Sequence, residues 1–338
     1  MKILITGSAG FIGFHLMKSL IISNHIVFGV DNINDYYSSK LKKDRLKQIG
    51  FNKEIFKNKL IKSSISNKLF FIRCDLKEDK TYKVLSKYKF DIIIHLAAQA
   101  GVQFSIKNPH TYVDNNITAS IKLFDFSNSI KCKKIIYAST SSVYGSNKKT
   151  PFNEKDKTSS PISTYASTKL MCENLSNVYN HLYNIKFVGL RFFTVYGPWG
   201  RPDMAIYKFI DHYFKKKPIT VYEGGKMIRD FTYIDDIVNG INSTIVNFNK
   251  INKVLKNPII NLGCNNPILL NNVVNFLVKD LNLKLKIKYK KKLKGDVDST
   301  LADISLAKKY LNFNPMTQYQ QGIRNLYEWY IKYNKIKL

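Results

Sequence analysis

Lys2-Ile3-Leu4-Ile5-Thr6-Gly7-Ser8-Ala9-Gly10-Phe11-Ile12-Gly13 is the stretch that decides the fold of this chain. A short aliphatic run, of the kind that forms a strand buried on both faces, ends in three glycines spaced three positions apart, and apolar residues at helical spacing follow over 14–22. Strand, glycine turn and helix in that order make a phosphate-binding corner. Gly7 permits the tight turn, Gly10 lets backbone N–H groups approach a pyrophosphate, and Gly13 lets helix and strand pack closely, while the helix N-terminus favours negative charge. Phe11 and Ile12 complete the turn.

Eighteen residues after Gly13, where the next apolar run ends, stand Asp31 and Asn32. A carboxylate there accepts hydrogen bonds from the adenine ribose hydroxyls. It would repel a 2′-phosphate, and no arginine follows immediately, so the expected cofactor is NAD rather than NADP.

Working outward, further β-branched or aromatic runs lie at 26–30, 69–73, 91–96, 133–138, 186–192 and 259–262, with helical intervals such as 119–127 between them. The alternation predicts an α/β fold, a doubly wound parallel sheet of seven strands. From about Thr194 the pattern breaks at the Pro/Gly cluster 197–202 and the turn 223–225, which predicts a second, smaller C-terminal α/β lobe for substrate. Because 259–262 reads as another buried strand, the expected division is 1–193 with 232–263 for the dinucleotide and 194–231 with 264–338 for the substrate.

Composition narrows the class. The 338 residues, 44% of them hydrophobic, suffice for a sizeable core, and the glycines at 7, 10 and 13 interrupt the first apolar run too early for a secretory leader. No apolar stretch approaches a membrane span. Cys74, Cys132, Cys172 and Cys264 are scattered without a C-x-x-C pair, which predicts no metal site and no disulfide framework and suits a reducing cytoplasm. The formal net charge of +30 is spread over the whole chain, a compositional bias rather than a polyanion surface, so neither nucleic acid nor membrane is an expected partner. Its densest cluster, 288–294, alternates lysines with Tyr289 and Leu293 and suits a strand with one wet face as well as it suits a phosphate-binding strip.

Tyr165 and Lys169 stand at i and i+4, so both project from one face of a helix. A free tyrosine titrates at about 10, and a fixed ammonium nearby favours the phenolate, which can then exchange a proton with a sugar hydroxyl. The pair follows Pro161 at a helix entry and lies downstream of the hydroxyl cluster Ser139-Thr140-Ser141-Ser142 at a strand end, where ligands sit in such sheets.

The Gly-x-x-Gly-x-x-Gly spacing, the Tyr-x-x-x-Lys pair and the run from Tyr137 to Gly145 together resemble the extended short-chain dehydrogenase/reductases, in their NAD-dependent epimerase/dehydratase branch. Residues 30–37 and 191–205 are similar to UDP-glucuronate 4-epimerases in particular, and the resemblance extends from Met1 to about Tyr330. It implies that Asp75 and Leu76 flank the adenine, that Leu96, Ala97 and Ala98 line the cofactor, and that Asn115 touches it. It places Thr140 at the reacting sugar oxygen beside Ser141 and Ser142, Thr194, Arg201, Thr220, Tyr222, Arg229 and Asp296 around the nucleotide sugar, and the protein in a homodimer through the helices near 119–127 and 165–183.

The same comparison separates chemistries. The related 4,6-dehydratases carry an acidic pair just after the threonine, where this chain has Ser141 and Ser142, so the implied reaction is C4 epimerisation of a UDP-hexuronate by way of a 4-keto sugar. One departure stands out: after Gly101-Val102 the family usually has arginine, and this chain has Gln103, which removes a cation. UDP-glucose and UDP-N-acetylglucosamine are therefore alternative substrates. A 4,6-dehydratase, and a dinucleotide-sensing or nucleic-acid-binding protein on the same fold, are the other readings.

Overall fold

The computed structural model describes residues 1–337. Along the chain run strands β1 (Lys2–Thr6), β2 (Ile26–Asp31), β3 (Leu60–Lys62), β4 (Leu69–Arg73), β5 (Ile92–His95), β6 (Lys134–Thr140), β7 (Lys186–Phe192), β8 (Thr194–Tyr196), β9 (Ile219–Tyr222), β10 (Ile228–Tyr233), β11 (Ile259–Leu262), β12 (Pro267–Leu269) and β13 (Ile287–Lys290). Eight of them form the central sheet, in the order β11-β7-β6-β5-β1-β2-β4-β3. Order reverses beside β1, the switch point at which a doubly wound sheet opens a crevice.

The seven parallel strands are those read from the sequence. The eighth corrects the expected number: β3 pairs antiparallel with β4 at the sheet edge. Its three residues, Leu60-Ile61-Lys62, are partly exposed and too short for a strand period to register, and an edge position demands only one bonded neighbour.

Strands covered on both faces explain the unbroken apolar runs. On β1, Ile3 and Ile5 enter one core with Phe14 and Met17 of the Phe11–Ser19 helix, while Leu4 enters the other with Phe124 and Phe187. All three β1 side chains are fully buried, each stabilising the fold by about 1.5–3 kcal/mol.

The Thr164–Tyr183 helix crosses behind β6 and β7. It starts where Ser163 Oγ accepts from Ala166 N at 3.1 Å and stops at Asn184, which takes the left-handed conformation at φ 53°. Its buried face carries Ala166, Lys169, Cys172, Glu173 and Ser176, an unusual share of polar groups for a packed face.

Beyond β7 the chain builds two small sheets, β12-β10-β8 and β13-β9. Helices Ala205–Phe214 and Tyr319–Asn334 pack on each other there, with the Phe214 and Tyr330 rings stacked at 5.5 Å. β10 runs through the expected boundary between 231 and 232, and the Ile234–Val254 helix then leads back to β11 beside β7. Asn261 of β11 ties this return down: its side-chain amide donates to Phe152 O at 2.9 Å and Asp303 O at 3.2 Å, and its Oδ1 accepts from Tyr144 Oη at 2.7 Å.

Candidate active site

A cavity of about 1000 Å³ opens beyond the carboxyl ends of β1, β2, β5 and β6 and extends over β8, β9 and β10. Every residue selected from the sequence lines it.

At its dinucleotide end are Gly7, Gly10, Phe11, Ile12, Gly13, Asp31, Asn32, Asp75, Leu76, Leu96, Ala97, Ala98 and Asn115. Gly7 has φ +73°, and a Cβ on it would fall 2.7 Å from Ala97 N; a Cβ on Gly13 would fall 2.2 Å from Gly7 O. Backbone therefore packs on backbone here, leaving a bare rim of N–H groups that fits a pyrophosphate. Asp31 holds the turn in shape, since its Oδ2 accepts from Ala9 N at 3.1 Å and its Oδ1 from Ile33 N at 2.7 Å. Asn32 Nδ2 donates to Asp75 Oδ2 at 3.1 Å, joining the ends of β2 and β4. This cradle fits a dinucleotide with free ribose hydroxyls.

Behind the turn lies His95, fully enclosed between Thr6 Oγ1 at 2.8 Å and Ser120 Oγ at 3.0 Å. Burial, with the Lys169 charge adding to it, pushes its pKa down to about 3, so the ring is neutral.

Thr140, Tyr165 and Lys169 line the middle of the cavity with Ser141 and Ser142. The 113–118 segment is a π-helix, and it turns Asn116 inward, where Nδ2 donates to Thr168 Oγ1 and Gln99 O, both at 3.0 Å. Thr168 in turn donates to Tyr165 O at 2.9 Å, so the tyrosine's own turn of helix is fixed.

A second brace lies one turn further on. Glu173, four residues after Lys169, receives Arg191 Nε at 2.9 Å and Nη2 at 2.8 Å, and Ser139 Oγ donates to its Oε1 at 2.5 Å. Both charged side chains are almost wholly buried, and the guanidinium lies 4.8 Å from the Tyr144 ring centre. Glu173 on the polar face of the helix is thus accounted for. This pair locks the helix that carries Tyr165 and Lys169 onto the strands ending in Thr140 and Phe192.

The remaining expected residues approach from the second lobe: Thr194 on β8, Thr220 and Tyr222 on β9, Arg229 on β10, Arg201 after β8, and Asp296 after β13. Arg201 faces the cavity as half of an ion pair, with Nε 3.0 Å from Asp203 Oδ1 and Nη2 2.5 Å from Oδ2. Tyr36 Oη also donates to Asp203 Oδ2, at 3.1 Å, and burial followed by the Asp203 charge pushes the phenol up to about 12. Arg229 and Asp230 do not pair with each other. Arg229 donates to the carbonyls of Ile228, Val297 and Asp298, while the buried Asp230 accepts from Cys264 N, Asn265 N and Ala302 N at 2.6–3.0 Å. Burial raises the Asp230 carboxyl to about 6 despite those donors.

Sequence reasoning left out several lining residues. Lys42 sits at the dinucleotide end, its ammonium on Asn34 O at 2.8 Å. Ala205, Lys208, Phe209 and His212 line the nucleotide-sugar end from one helix. Their spacing of three, four and seven residues was the available signal, since it puts all four on one face.

Residues 3–263 match the model of the NAD dependent epimerase/dehydratase family. Protein CapI of Staphylococcus aureus is 42% identical, over 99% of this chain and all of its own length. The UDP-glucuronate 4-epimerase of Thermodesulfobacterium geofontis is 40% identical, over 96% of this chain and 95% of its own length. Among solved structures, UDP-glucuronic acid 4-epimerase from Bacillus cereus, in complex with UDP-glucuronic acid and NAD, superposes with a TM-score of 0.86 at 33% identity, covering 98% of this chain and 100% of that one. With a cradle of this shape, a Tyr-x-x-x-Lys helix beside it and matches of this extent, the chain belongs to the NAD dependent epimerase/dehydratase family.

Proposed function

We propose that this protein is an NAD-dependent isomerase that interconverts UDP-glucuronate and UDP-galacturonate by inverting C4 of the sugar. The observation that carries the reading is the convergence of the glycine cradle, Tyr165, Lys169 and Thr140 on one cavity whose far end holds Arg229, Tyr222 and Asp296. Relatives of that activity at 40% identity over nearly the whole of this chain support it.

Bound NAD supplies a hydride acceptor and donor at C4, so the sugar passes through a 4-keto form. The chain's own groups do the rest. Tyr165 removes the C4 hydroxyl proton and later returns it, Lys169 holds its ammonium on the same face of the helix beside that exchange, and Thr140 hydrogen-bonds the reacting oxygen. Lys169 is almost wholly buried, so water screens its charge little. Ser141 and Ser142 offer hydroxyls to the hexuronate carboxylate and, unlike a carboxylic acid pair, provide no base for C5 and no acid for a C6 leaving group.

We assign residues 1–193 and 232–263 to the dinucleotide half and 194–231 and 264–338 to the nucleotide-sugar half. The working form is a homodimer. Met171, Val178 and Leu182 form an exposed apolar stripe along the Thr164–Tyr183 helix, 43%, 47% and 60% accessible, which a second copy would cover. No helix among the described residues is long and apolar enough to cross a membrane, and four free cysteines suit a reducing cytoplasm.

The test is incubation of the NAD-saturated protein with UDP-glucuronate, UDP-glucose and UDP-N-acetylglucosamine, with products read by NMR. UDP-galacturonate from the first substrate is expected. Conversion of a neutral sugar only would overturn the hexuronate assignment, and a 4-keto-6-deoxy product would overturn epimerisation.

A further inference from the structure

The departure noted at position 103 has a structural role of its own. The loop 291–298 follows β13 and belongs to the nucleotide-sugar half, yet it is seated on the dinucleotide half. Gly295 has φ +82°, and a Cβ on it would come within 3.1 Å of Val102 Cγ1, 3.2 Å of Ile106 Cδ1 and 3.3 Å of Ile162 O. The loop backbone therefore rests on the Val102–Lys107 helix and on the chain entering the Thr164–Tyr183 helix.

Two side chains clasp it from opposite sides. From its own half, Arg229 donates to Val297 O at 2.8 Å and Asp298 O at 3.1 Å. From the dinucleotide half, Gln103 Nε2 donates to Lys294 O at 2.9 Å and to Asp296 Oδ1 at 3.2 Å. Burial raises the Asp296 carboxyl, and the Gln103 bond acts against that by favouring the ionised form. Leu293, Gly295, Asp296 and Val297 all line the cavity, so whatever fixes this loop fixes the width of the nucleotide end.

We propose that Gln103 is a positioning residue for the uridine nucleotide: it ties loop 293–297, with the Asp296 carboxylate, across the seam between the halves, and its duty is toward the nucleotide rather than the hexose. This rests on the UDP-sugar reading of the cavity. The bond requires a donor, not a charge. Gln103→Arg keeps donors to both oxygens, Gln103→Ala removes them, and Gln103→Glu sets an acceptor against Lys294 O and a like charge against Asp296.

Calorimetric titration of the NAD-saturated protein with UDP alone and with UDP-glucuronate, together with KM and kcat, tests the clasp. Gln103→Ala is expected to weaken UDP and UDP-glucuronate by the same factor, about three- to tenfold, with KM rising in step and kcat changing less than KM. Gln103→Glu should weaken both further, and Gln103→Arg should restore affinity to within about twofold of the unsubstituted protein, a rescue that mere loss of packing would not show. UDP affinity unchanged in Gln103→Ala and Gln103→Glu, with the effect confined to the preference between UDP-glucuronate and UDP-glucose, would overturn the proposal while leaving the epimerase reading intact. Failure of the unsubstituted protein to bind UDP at all would overturn both.

Discussion

The two ends of the cavity are built from different materials. The dinucleotide end is backbone: glycines pressed against neighbouring peptide groups, with one carboxylate, Asp31, tying their turn through Ala9 N to its own loop through Ile33 N. The nucleotide-sugar end is side chain: the Arg201–Asp203–Tyr36 cluster, Arg229 spanning to loop 297–298, and Gln103 reaching over from the opposite lobe. A backbone cradle tolerates almost no change at its glycines or at the Asp31 carboxylate that ties them. A side-chain cradle can be retuned one residue at a time, which is where a family sharing one cofactor can diversify its substrates.

Three measurements would break or sharpen that contrast. The largest effect belongs to the seam between the ends: Tyr165→Phe should lower kcat by about 10²–10⁴-fold, the worth of a positioned proton shuttle, while NAD content and UDP affinity remain. Retention of most of the turnover would detach the tyrosine from the chemistry.

Next comes the brace beneath it. Glu173→Ala leaves the buried Arg191 uncompensated and should cost about 3–5 kcal/mol of stability, seen as a large drop in Tm. Asp203→Ala, at a pair whose side chains are 21% and 29% accessible, should cost clearly less and act mainly on KM. Equal losses of stability would show that the side-chain end is as rigidly braced as the catalytic helix.

The smallest effect is a difference of sign with pH. His95 has a folded pKa of about 3 against an ordinary 6.5, so the unfolded chain binds its proton first. Its contribution to stability is complete above about 6.5 and is lost as pH falls toward 3. Asp230 is the reverse. Raised from 3.8 to about 6, it keeps its proton in the folded state where the unfolded chain has released it, so its contribution falls as pH rises through that window. Between pH 4 and 6, the Tm difference between native protein and His95→Asn should therefore grow with pH, and that for Asp230→Asn should shrink. Slopes of the same sign would contradict the burial of one basic and one acidic group, each in its neutral form.

The same contrast explains what could be read in advance. Parallel strands covered on both faces write themselves as apolar runs, so β1, β2, β4, β5, β6, β7 and β11 were legible, whereas β3 needs only an edge and three residues. Gly7, Gly10, Gly13 and Asp31 were legible because backbone geometry constrains residue type at fixed spacing. Tyr36 was not, since a loop side chain that folds back onto a cavity leaves no period, and neither was Lys42, a single polar residue on the Ser39–Gln48 helix whose lysine-rich sequence marks no one position as facing the cavity. Gln103 could be noticed only as a departure. Its partners, Lys294 and Asp296, lie over 190 residues away, and nothing local announces such a pairing.

The return of β11 to the central sheet has a consequence for how such proteins can be recombined. Since β8, β9 and β10 lie between β7 and β11 along the chain, the last strand of the central sheet arrives only after the chain has visited the other lobe, and Asn261 then bonds it to Phe152, Asp303 and Tyr144. The halves are interleaved rather than tandem, and no single splice can exchange one for another. Transplanting a foreign sugar lobe would require matched junctions both before and after residues 234–262 together with a compatible Asn261 contact set, so point substitution, not shuffling, is the accessible route to new specificity on this scaffold.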